Sequence, residues 1–172
     1  MNISDLHSID DLWESLRKRL AEAEYQQEYT TEDDFENDVW LSVVSLANDM
    51  GFDVGTTCLT SHTKRPGRSS AAWRSFCEQE HGPDVDVLDA KNRLDIVFKY
   101  EKWSIGIEVK CLGTNGHTAK LTQGIGQATL ALAHRDRTLL IIHCGTVSNI
   151  ERKRLRKVCK RMCDGMKTAV IA

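Results

Sequence analysis

The chain has 172 residues and a net charge of −2, with 41% hydrophobic and 28% charged residues. These values are typical of one globular domain, and we therefore treat residues 1–172 as a single domain. The near-neutral charge excludes a basic field over the whole molecule, so a nucleic-acid surface would have to be a local patch. No apolar run approaches the ~20 residues that span a bilayer, and the N-terminus lacks signal-peptide features. We expect a cytoplasmic, intracellular protein with no membrane partner.

An amphipathic helix is predicted over residues 8–27. Ser8 and Asp11 form a capping box at its start. Apolar residues then recur at helical spacing: Ile9, Leu12, Trp13, Leu16 and Leu20. Residues 1–30 thus form an N-terminal helical extension. Its apolar stripe either packs on the rest of the domain or serves as a dimer arm, the basis of a possible homodimer or protein-interaction role.

A second helix is predicted from the capping box of Thr31 and Asp34 to Met50, ending at Gly51. Its first turn is acidic, as the positive end of a helix dipole favours. Glu36 lies beside the apolar stripe. It is either an ordinary charge at a helix N-terminus or a group directed towards a functional site.

A strand is predicted over residues 52–59, and a long loop follows over residues 60–83. Loops of this length are usually functional or disordered. Four basic residues cluster in it: Lys64, Arg65, Arg68 and Arg74. We expect this loop to hold a nucleic-acid backbone. Residues 84–90 are predicted to form a further strand.

A β-hairpin is predicted in the middle of the chain, where two runs of β-branched and aromatic residues flank one polar break. A tight turn centred between Glu101 and Lys102 places Asp95 directly opposite Glu108, with Cβ atoms about 5 Å apart. Lys110 lies on the same face as Glu108 because side chains alternate along a strand. A register slip of one residue would move Asp95 to the other face.

The hairpin therefore brings two carboxylates and one ammonium together. Asp95 and Glu108 repel each other unless a divalent cation lies between them, and hard oxygen ligands select Mg²⁺ or Mn²⁺. A bound metal lowers the pKa of its water. Lys110 is placed to orient that water or to neutralise a phosphate. This set suits phosphodiester hydrolysis; the alternative is a surface hairpin with a satisfied Glu–Lys pair.

At these residues the chain resembles the PD-(D/E)xK nuclease superfamily, which has a restriction-endonuclease-like fold. The motif is an aspartate followed on the next strand by E-x-K, here Asp95 and then Glu108-Val109-Lys110. Leu94 stands where many members have proline. A literal Pro-Asp occurs at residues 83–84, but no hairpin register connects it to the E-x-K strand. The resemblance covers residues 34–145.

The resemblance also implies the elements around the motif. Such folds open with a helix that carries an acidic residue near the site, which Glu36 matches. A helix follows the E-x-K strand, here residues 121–135, and then an apolar strand, here residues 138–144. The phrase GIGQA resembles family helices that place a glutamine near the site. On this helix Lys120, Gln123 and Gln127 share one face, which either supports the site or is simply solvated.

The last helix is predicted over residues 148–163 and is strongly basic. Its charge is either a solvated face or a nucleic-acid contact, and Arg152 and Lys153 are our candidates for that contact together with Lys120. An edge strand is predicted over residues 168–171. The six cysteines form no common zinc module, and we expect them to be reduced and mostly buried.

These observations predict an α/β fold with a central mixed β-sheet flanked by helices, a restriction-endonuclease-like core with an extra N-terminal helix. The expected function is a Mg²⁺-dependent nuclease acting on DNA, an endonuclease, with Mn²⁺ as a possible substitute. Asp95 and Glu108 would bind the metal, Lys110 would act on the water, and Gln123, Gln127 and Glu36 would support them. The alternatives are a Holliday-junction-type resolvase and a non-catalytic nucleic-acid-binding module on the same fold.

Overall fold

The structure is a computed structural model. It describes residues 6–60, 62, 65, 75, 85–87, 90–112, 117–145, 147–163 and 167–172, without side chains for 85–87, 90–92 and 162–163. Within those ranges, no helix combines the length and apolar character needed to cross a membrane.

Both predicted N-terminal helices are present. Helix α1 spans Ile9–Glu22 and α2 spans Glu32–Asp49. The capping boxes are confirmed, because the hydroxyl of Ser8 accepts from the backbone N–H of Asp11 and the hydroxyl of Thr31 accepts from that of Asp34, at 3.2 Å each. Helix α1 ends five residues earlier than predicted, since the backbone turns to an extended conformation after residue 22.

The apolar stripe of α1 belongs to the core of the protein itself. Leu12, Leu16 and Leu20 are completely buried. The indole N–H of Trp13 donates to the carbonyl of Thr138 in the central sheet, at 3.2 Å. Packing on the domain, the first of the two alternatives for this helix, is therefore what the structure shows.

The strand predicted over residues 52–59 is wrong for most of its length. A short helix, α3, spans Val54–Thr57, and only Cys58–Thr60 forms a strand, β1. The carboxylate of Asp53 accepts from the backbone N–H of Gly55 at 3.0 Å, and this cap favours a helical turn over an extended chain.

The strand predicted over residues 84–90 is present at residues 85–87. Strand β2 spans Val85–Val87 and pairs antiparallel with β3, Ala90–Asn92, in a separate two-stranded sheet.

The central sheet has five strands. Strand β4 spans Ile96–Tyr100, β5 spans Trp103–Cys111, β6 spans Arg137–His143 and β7 spans Thr168–Ile171. Their order is β1-β4-β5-β6-β7. Strands β1, β4 and β5 pair antiparallel, whereas β5, β6 and β7 pair parallel. The predicted mixed sheet is thus confirmed, with the predicted edge strand at one side.

The register of the β4–β5 hairpin is the one predicted. Tyr100 pairs with Trp103 across the two-residue turn, and the ladder runs to the pair of Ile96 and Ile107. Asp95 immediately precedes this last pair and so stands across from the residue after Ile107. The turn uses positive φ at a residue other than glycine, with Glu101 at 51°, as tight hairpin turns require.

Helices cover both faces of the sheet. Helix α4 spans His117–Leu130 and continues into a 3₁₀ turn, and α5 spans Asn149–Cys163. Helices α1 and α2 share a core with Ile107 and Val109, whereas α4 and α5 pack on the opposite face.

The apolar residues of the two later helices are only partly covered. Val158, which helical spacing places on the apolar stripe of α5, is 49% exposed, and Leu130 of α4 is 38% exposed. Small residues take the inward positions instead, such as Gly124 and Ala128 on α4.

The cysteine prediction is confirmed where the structure describes the side chains. Cys58, Cys144 and Cys159 are buried, Cys111 is half-buried, and all four are reduced thiols. The other two cysteines lie outside the described side chains.

Candidate functional site

The E-x-K residues lie in the middle of the sheet. Glu108 is completely buried and Lys110 is 6% exposed, on the face covered by α4. A Cβ atom placed on Gly124 of α4 would lie 2.9 Å from Cγ of Lys110 and 2.8 Å from Cδ1 of Leu140. A side chain at this position would force Lys110 or Leu140 to move, so α4 lies directly against the lysine.

Lys110 and Glu108 form a close ion pair. The ammonium of Lys110 lies 2.6 Å from Oε1 of Glu108, and it donates to the carbonyl of Val109 at 3.1 Å. Among the described residues, neither oxygen of the Glu108 carboxylate accepts a hydrogen bond of acceptable geometry, and Oε2 has no cationic partner either. A buried carboxylate oxygen without such a partner is costly unless another ligand satisfies it.

Asp95 is fixed across the hairpin. Its Oδ2 accepts from the backbone N–H of Val109 at 2.8 Å. Burial raises the pKa of Asp95 well above its ordinary value, and the carboxylates of Glu108 and Glu36 raise it further. This carboxylate is therefore short of positive charge.

The same surroundings shift the pKa values of Glu108 and Lys110. Burial raises the pKa of Glu108 to about 7; Lys110 opposes this shift, while Glu32 and Glu36 add to it. Burial alone would lower the pKa of Lys110, but Glu108 and Asp95 outweigh burial and raise it. The lysine stays charged, whereas the carboxylates compete for one cation.

Glu32 is a member of the site that the sequence analysis missed. It lies in the first turn of α2, and its Oε2 accepts from the backbone N–H of Cys111 at 3.0 Å. Its Oε1 lies 3.6 Å from the ammonium of Lys110. Glu32 precedes Glu36 by one helical turn, so the helical period was a signal that could have found it.

Glu36 does not extend to Lys110. It is 4% exposed and its carboxylate is paired on both sides, with Nη1 of Arg65 at 2.6 Å and Nε2 of His62 at 3.0 Å. It still affects the carboxylates of Asp95 and Glu108, whose pKa values it raises. Glu36 therefore adds negative charge next to the site and carries its own counterion.

Arg65 is not placed where we expected a nucleic-acid contact. It is 9% exposed, and besides Glu36 it donates to Thr60 and to the carbonyl of Asp33, at 3.3 Å each. All the hydrogen bonds described for its guanidinium go to residues of α2 and β1. Arg65 therefore stabilises the fold. Lys64, Arg68 and Arg74 of the same predicted loop lie outside the described residues.

One further group has the composition of a metal site. Single ligand atoms of Asp33, Glu36 and His62 lie within 4.8 Å of one another. One oxygen of Glu36 in this group already faces the guanidinium of Arg65. Sequence reasoning missed His62, because an isolated histidine in a loop has no recognisable pattern.

The three candidate residues on α4 differ in exposure and contacts. Gln123 is exposed, whereas Gln127 is half-buried with an Oε1 that has no hydrogen-bond partner among the described residues. The ammonium of Lys120 donates to the carbonyl of Cys111 at 2.9 Å, next to Lys110.

The two α5 candidates differ in exposure. Arg152 is half-buried and donates to the carbonyl of Gly145 at 3.4 Å. Lys153 is exposed.

The donor set at Asp95 and Glu108 suits a hard divalent cation. The buried Oε2 of Glu108 lacks a partner, and carboxylate oxygens are the ligands that Mg²⁺ and Mn²⁺ prefer. Lys110 alone cannot neutralise Asp95, Glu108 and Glu32.

No family model matches this chain, and no curated protein or solved structure is significantly similar to it. What can be proposed for its function therefore depends on the geometry of its own residues.

Proposed function

We propose that this protein is a metal-dependent nuclease that hydrolyses phosphodiester bonds in DNA as an endonuclease, with Mg²⁺ as its ion and Mn²⁺ as a substitute. One observation carries the proposal. Glu108 is completely buried, its Oε2 has no partner among the described residues, and it stands across the hairpin from Asp95. The single ammonium of Lys110 does not balance both carboxylates, and a further cation would.

The energetic argument concerns buried charge. Burying a carboxylate costs several kcal/mol unless it is paired or coordinates a metal. Asp95 and Glu108 together have one nearby ammonium, and Glu32 competes for it at 3.6 Å. A divalent cation held by Asp95 and Glu108 would remove the imbalance and return both carboxyl groups to the ionised state.

The chemistry of hydrolysis assigns a role to each residue. A bound divalent ion supplies a water of lowered pKa and an electrophile for phosphate oxygens. Lys110 stays protonated beside the carboxylates, so its ammonium orients the attacking water or stabilises the charge that develops on the phosphate. The backbone N–H of Val109 holds Asp95 in place. Glu32 holds the backbone of Cys111 and shares the Lys110 ammonium, which makes it a positioning residue.

The order of the elements supports the same proposal. The resemblance to the PD-(D/E)xK superfamily implies a particular order of elements along the chain. The chain has that order in helix α2, strand β1, the β4–β5 hairpin, α4 and β6. Glu32 and Glu36 supply the acidic helix residues of that pattern. The same resemblance implies that Gln127 of α4 is the glutamine near the site.

The test is cleavage of a substrate panel with Mg²⁺, with Mn²⁺ and with chelator. The panel contains supercoiled plasmid, linear duplex, single-stranded DNA, a four-way junction and RNA. We expect metal-dependent cutting of DNA. Fastest cutting of the junction would instead identify a resolvase. DNA binding without any cutting would identify a non-catalytic binding module and overturn the nuclease proposal.

A further inference from the structure

The charge of the protein is concentrated on α5. This helix carries seven basic residues and one acidic residue, a net charge of +6. The whole chain has a net charge of −2, so the rest of it has a net charge of −8. A charge separation of this size on one element indicates a surface with an anionic partner.

Most of these cations project into solvent. Lys153, Lys157, Lys160, Arg154 and Arg161 are all exposed. None of these five forms a salt bridge with another described residue, whereas Arg152 and Arg156 donate to backbone carbonyls. The inward side of α5 is already occupied, because Cys159 is 2% exposed and Leu155 packs against the sheet core. The five cations are thus available to a ligand.

The helix begins near the same C-terminal ends of strands β5 and β6 at which Lys110 lies. Strands β5 and β6 are parallel, with Lys110 next to Ile142 and Cys111 next to His143. Leu112, two residues after Lys110, donates its backbone N–H to the carbonyl of His143 at 2.9 Å. Leu112 and Glu151 line one groove between the first turns of α4 and α5. The first turn of α5 therefore lies near the end of the strands that carries the site, whereas Lys153 and Lys157 are on the exposed side of the helix, away from this groove.

We propose that the exposed face of α5 binds the phosphate backbone of the duplex DNA that the carboxylate site would cleave, an inference that rests on the nuclease function proposed above. Lys153, Lys157 and Lys160 follow the i, i+4, i+7 spacing of one helix face. They cover about 10 Å of helix axis. One strand of a duplex carries about three phosphates over that length.

The exposed face fits nucleic acid better than a lipid surface. A helix that lies in a membrane interface needs a continuous apolar face to insert. The apolar side of α5 packs on the sheet, and among its described side chains the large exposed apolar ones are Ile150 and Val158, in different turns. The available cations are not interrupted by acidic residues after Glu151.

The experiment measures binding of a fluorescent duplex of about 25 base pairs over a range of salt concentrations, in chelator so that no cleavage occurs. The test variant is Lys153→Glu/Lys157→Glu. The matched control is Lys18→Glu/Lys102→Glu, which changes two exposed lysines away from α5 by the same total charge. Circular dichroism melting verifies that both variants are folded. Vesicles with and without phosphatidylserine form a second arm.

We expect the α5 variant to bind duplex at least about tenfold more weakly, with a salt slope smaller by about 2, because each lost phosphate contact removes about one unit of slope. The control should keep the wild-type slope. Equal slopes for the two variants would overturn the inference. A second result would also overturn it: the wild type binds phosphatidylserine vesicles but not duplex, and the α5 variant loses the vesicle binding. That result would assign the surface to lipid.

The outcomes separate this inference from the proposed function. If the wild type binds duplex through α5 but never cuts it, the nuclease proposal fails and the binding surface stands. If the wild type cuts DNA and the α5 variant binds and cuts like the control, the nuclease proposal stands and α5 is only a solvated charged face.

Discussion

The ammonium of Lys110 lies 2.6 Å from Oε1 of Glu108, and both side chains are buried on the same face of β5. This pair leaves Asp95, across the hairpin, with a backbone N–H as its hydrogen-bond donor and with a raised pKa. The site therefore has more carboxylates than cations. The proposed metal follows from this imbalance.

Replacing Lys110 by methionine keeps the side-chain length that packs under α4 but removes the charge. We expect Lys110→Met to lower DNA cleavage by at least about 10²-fold, as the loss of one electrostatic group at a reaction centre does. Metal should still raise the melting temperature, because Asp95 and Glu108 remain. The matched control is Lys102→Met in the exposed hairpin turn, which should cut normally. Cleavage within twofold of wild type by Lys110→Met would contradict the assigned role.

The raised pKa of Glu108 determines how stability depends on pH without metal. Its pKa is about 7 in the folded protein against an ordinary value of 4.5. Between these pH values the folded state retains a proton that the unfolded state has lost, so stability falls as pH rises through the window. The gap corresponds to about 3 kcal/mol.

Wild type is compared with Glu108→Gln, which cannot titrate at residue 108 and also removes the contribution of Glu108 to the raised pKa of Asp95. In chelator, the free energy of unfolding of wild type relative to the variant should fall by about 3 kcal/mol from pH 4.5 to 7, by denaturant titration. Mg²⁺ should then stabilise wild type above pH 7 and leave the variant unchanged. A constant difference across the window would show that Glu108 titrates normally.

Two glycines of α4 form a matched pair. The Cβ of an alanine at position 124 would lie 2.8 Å from Leu140 and 2.9 Å from Lys110. The Cβ of an alanine at position 126 would have no neighbouring atom within 4 Å. We expect Gly124→Ala to destabilise the protein by about 1–3 kcal/mol and to reduce cleavage by displacing Lys110. Gly126→Ala should stabilise the protein by up to about 1 kcal/mol through helix propensity and leave cleavage intact. Denaturant titration and plasmid cleavage measure both, and equal effects would contradict the close approach of α4.

Arg65 is expected to act on stability. Arg65→Met leaves the buried Glu36 without its guanidinium partner, at a cost of about 3–5 kcal/mol in the free energy of unfolding. Arg65→Met/Glu36→Gln should recover part of that loss, because the unpaired charge is gone. Arg154→Met, at an exposed position, should change stability by less than about 0.5 kcal/mol. If Arg65→Met left the free energy of unfolding unchanged, the ion pair would not be what holds the segment after β1 against α2.

The hairpin and its register were predictable because the information is local. The polar break fixes the turn, and alternation along two apolar strands then fixes which residues face each other. The capping boxes of α1 and α2 were predictable for the same reason.

Other features depend on contacts that the sequence does not display. Arg65 and Glu36 are 29 residues apart, and a loop arginine gives no sign that a helix carboxylate will bury it. Glu32 resembled an ordinary acidic residue at a helix start until its contact with Cys111, 79 residues away, was visible. The short helix α3 replaced a predicted strand because one aspartate cap outweighed an apolar pattern.

The most direct test is cleavage of supercoiled plasmid by wild type and by Asp95→Asn, each with Mg²⁺ and with chelator. Asparagine keeps an oxygen for the Val109 N–H but removes the charge that would hold the metal. The matched control is Asp53→Asn. Asp53 is an exposed N-cap residue of α3, and asparagine is an equally good N-cap. We expect wild type and the control to cut only with metal, and Asp95→Asn not to cut. Metal-dependent cutting by Asp95→Asn at the wild-type rate would contradict the carboxylate site as the centre of the reaction.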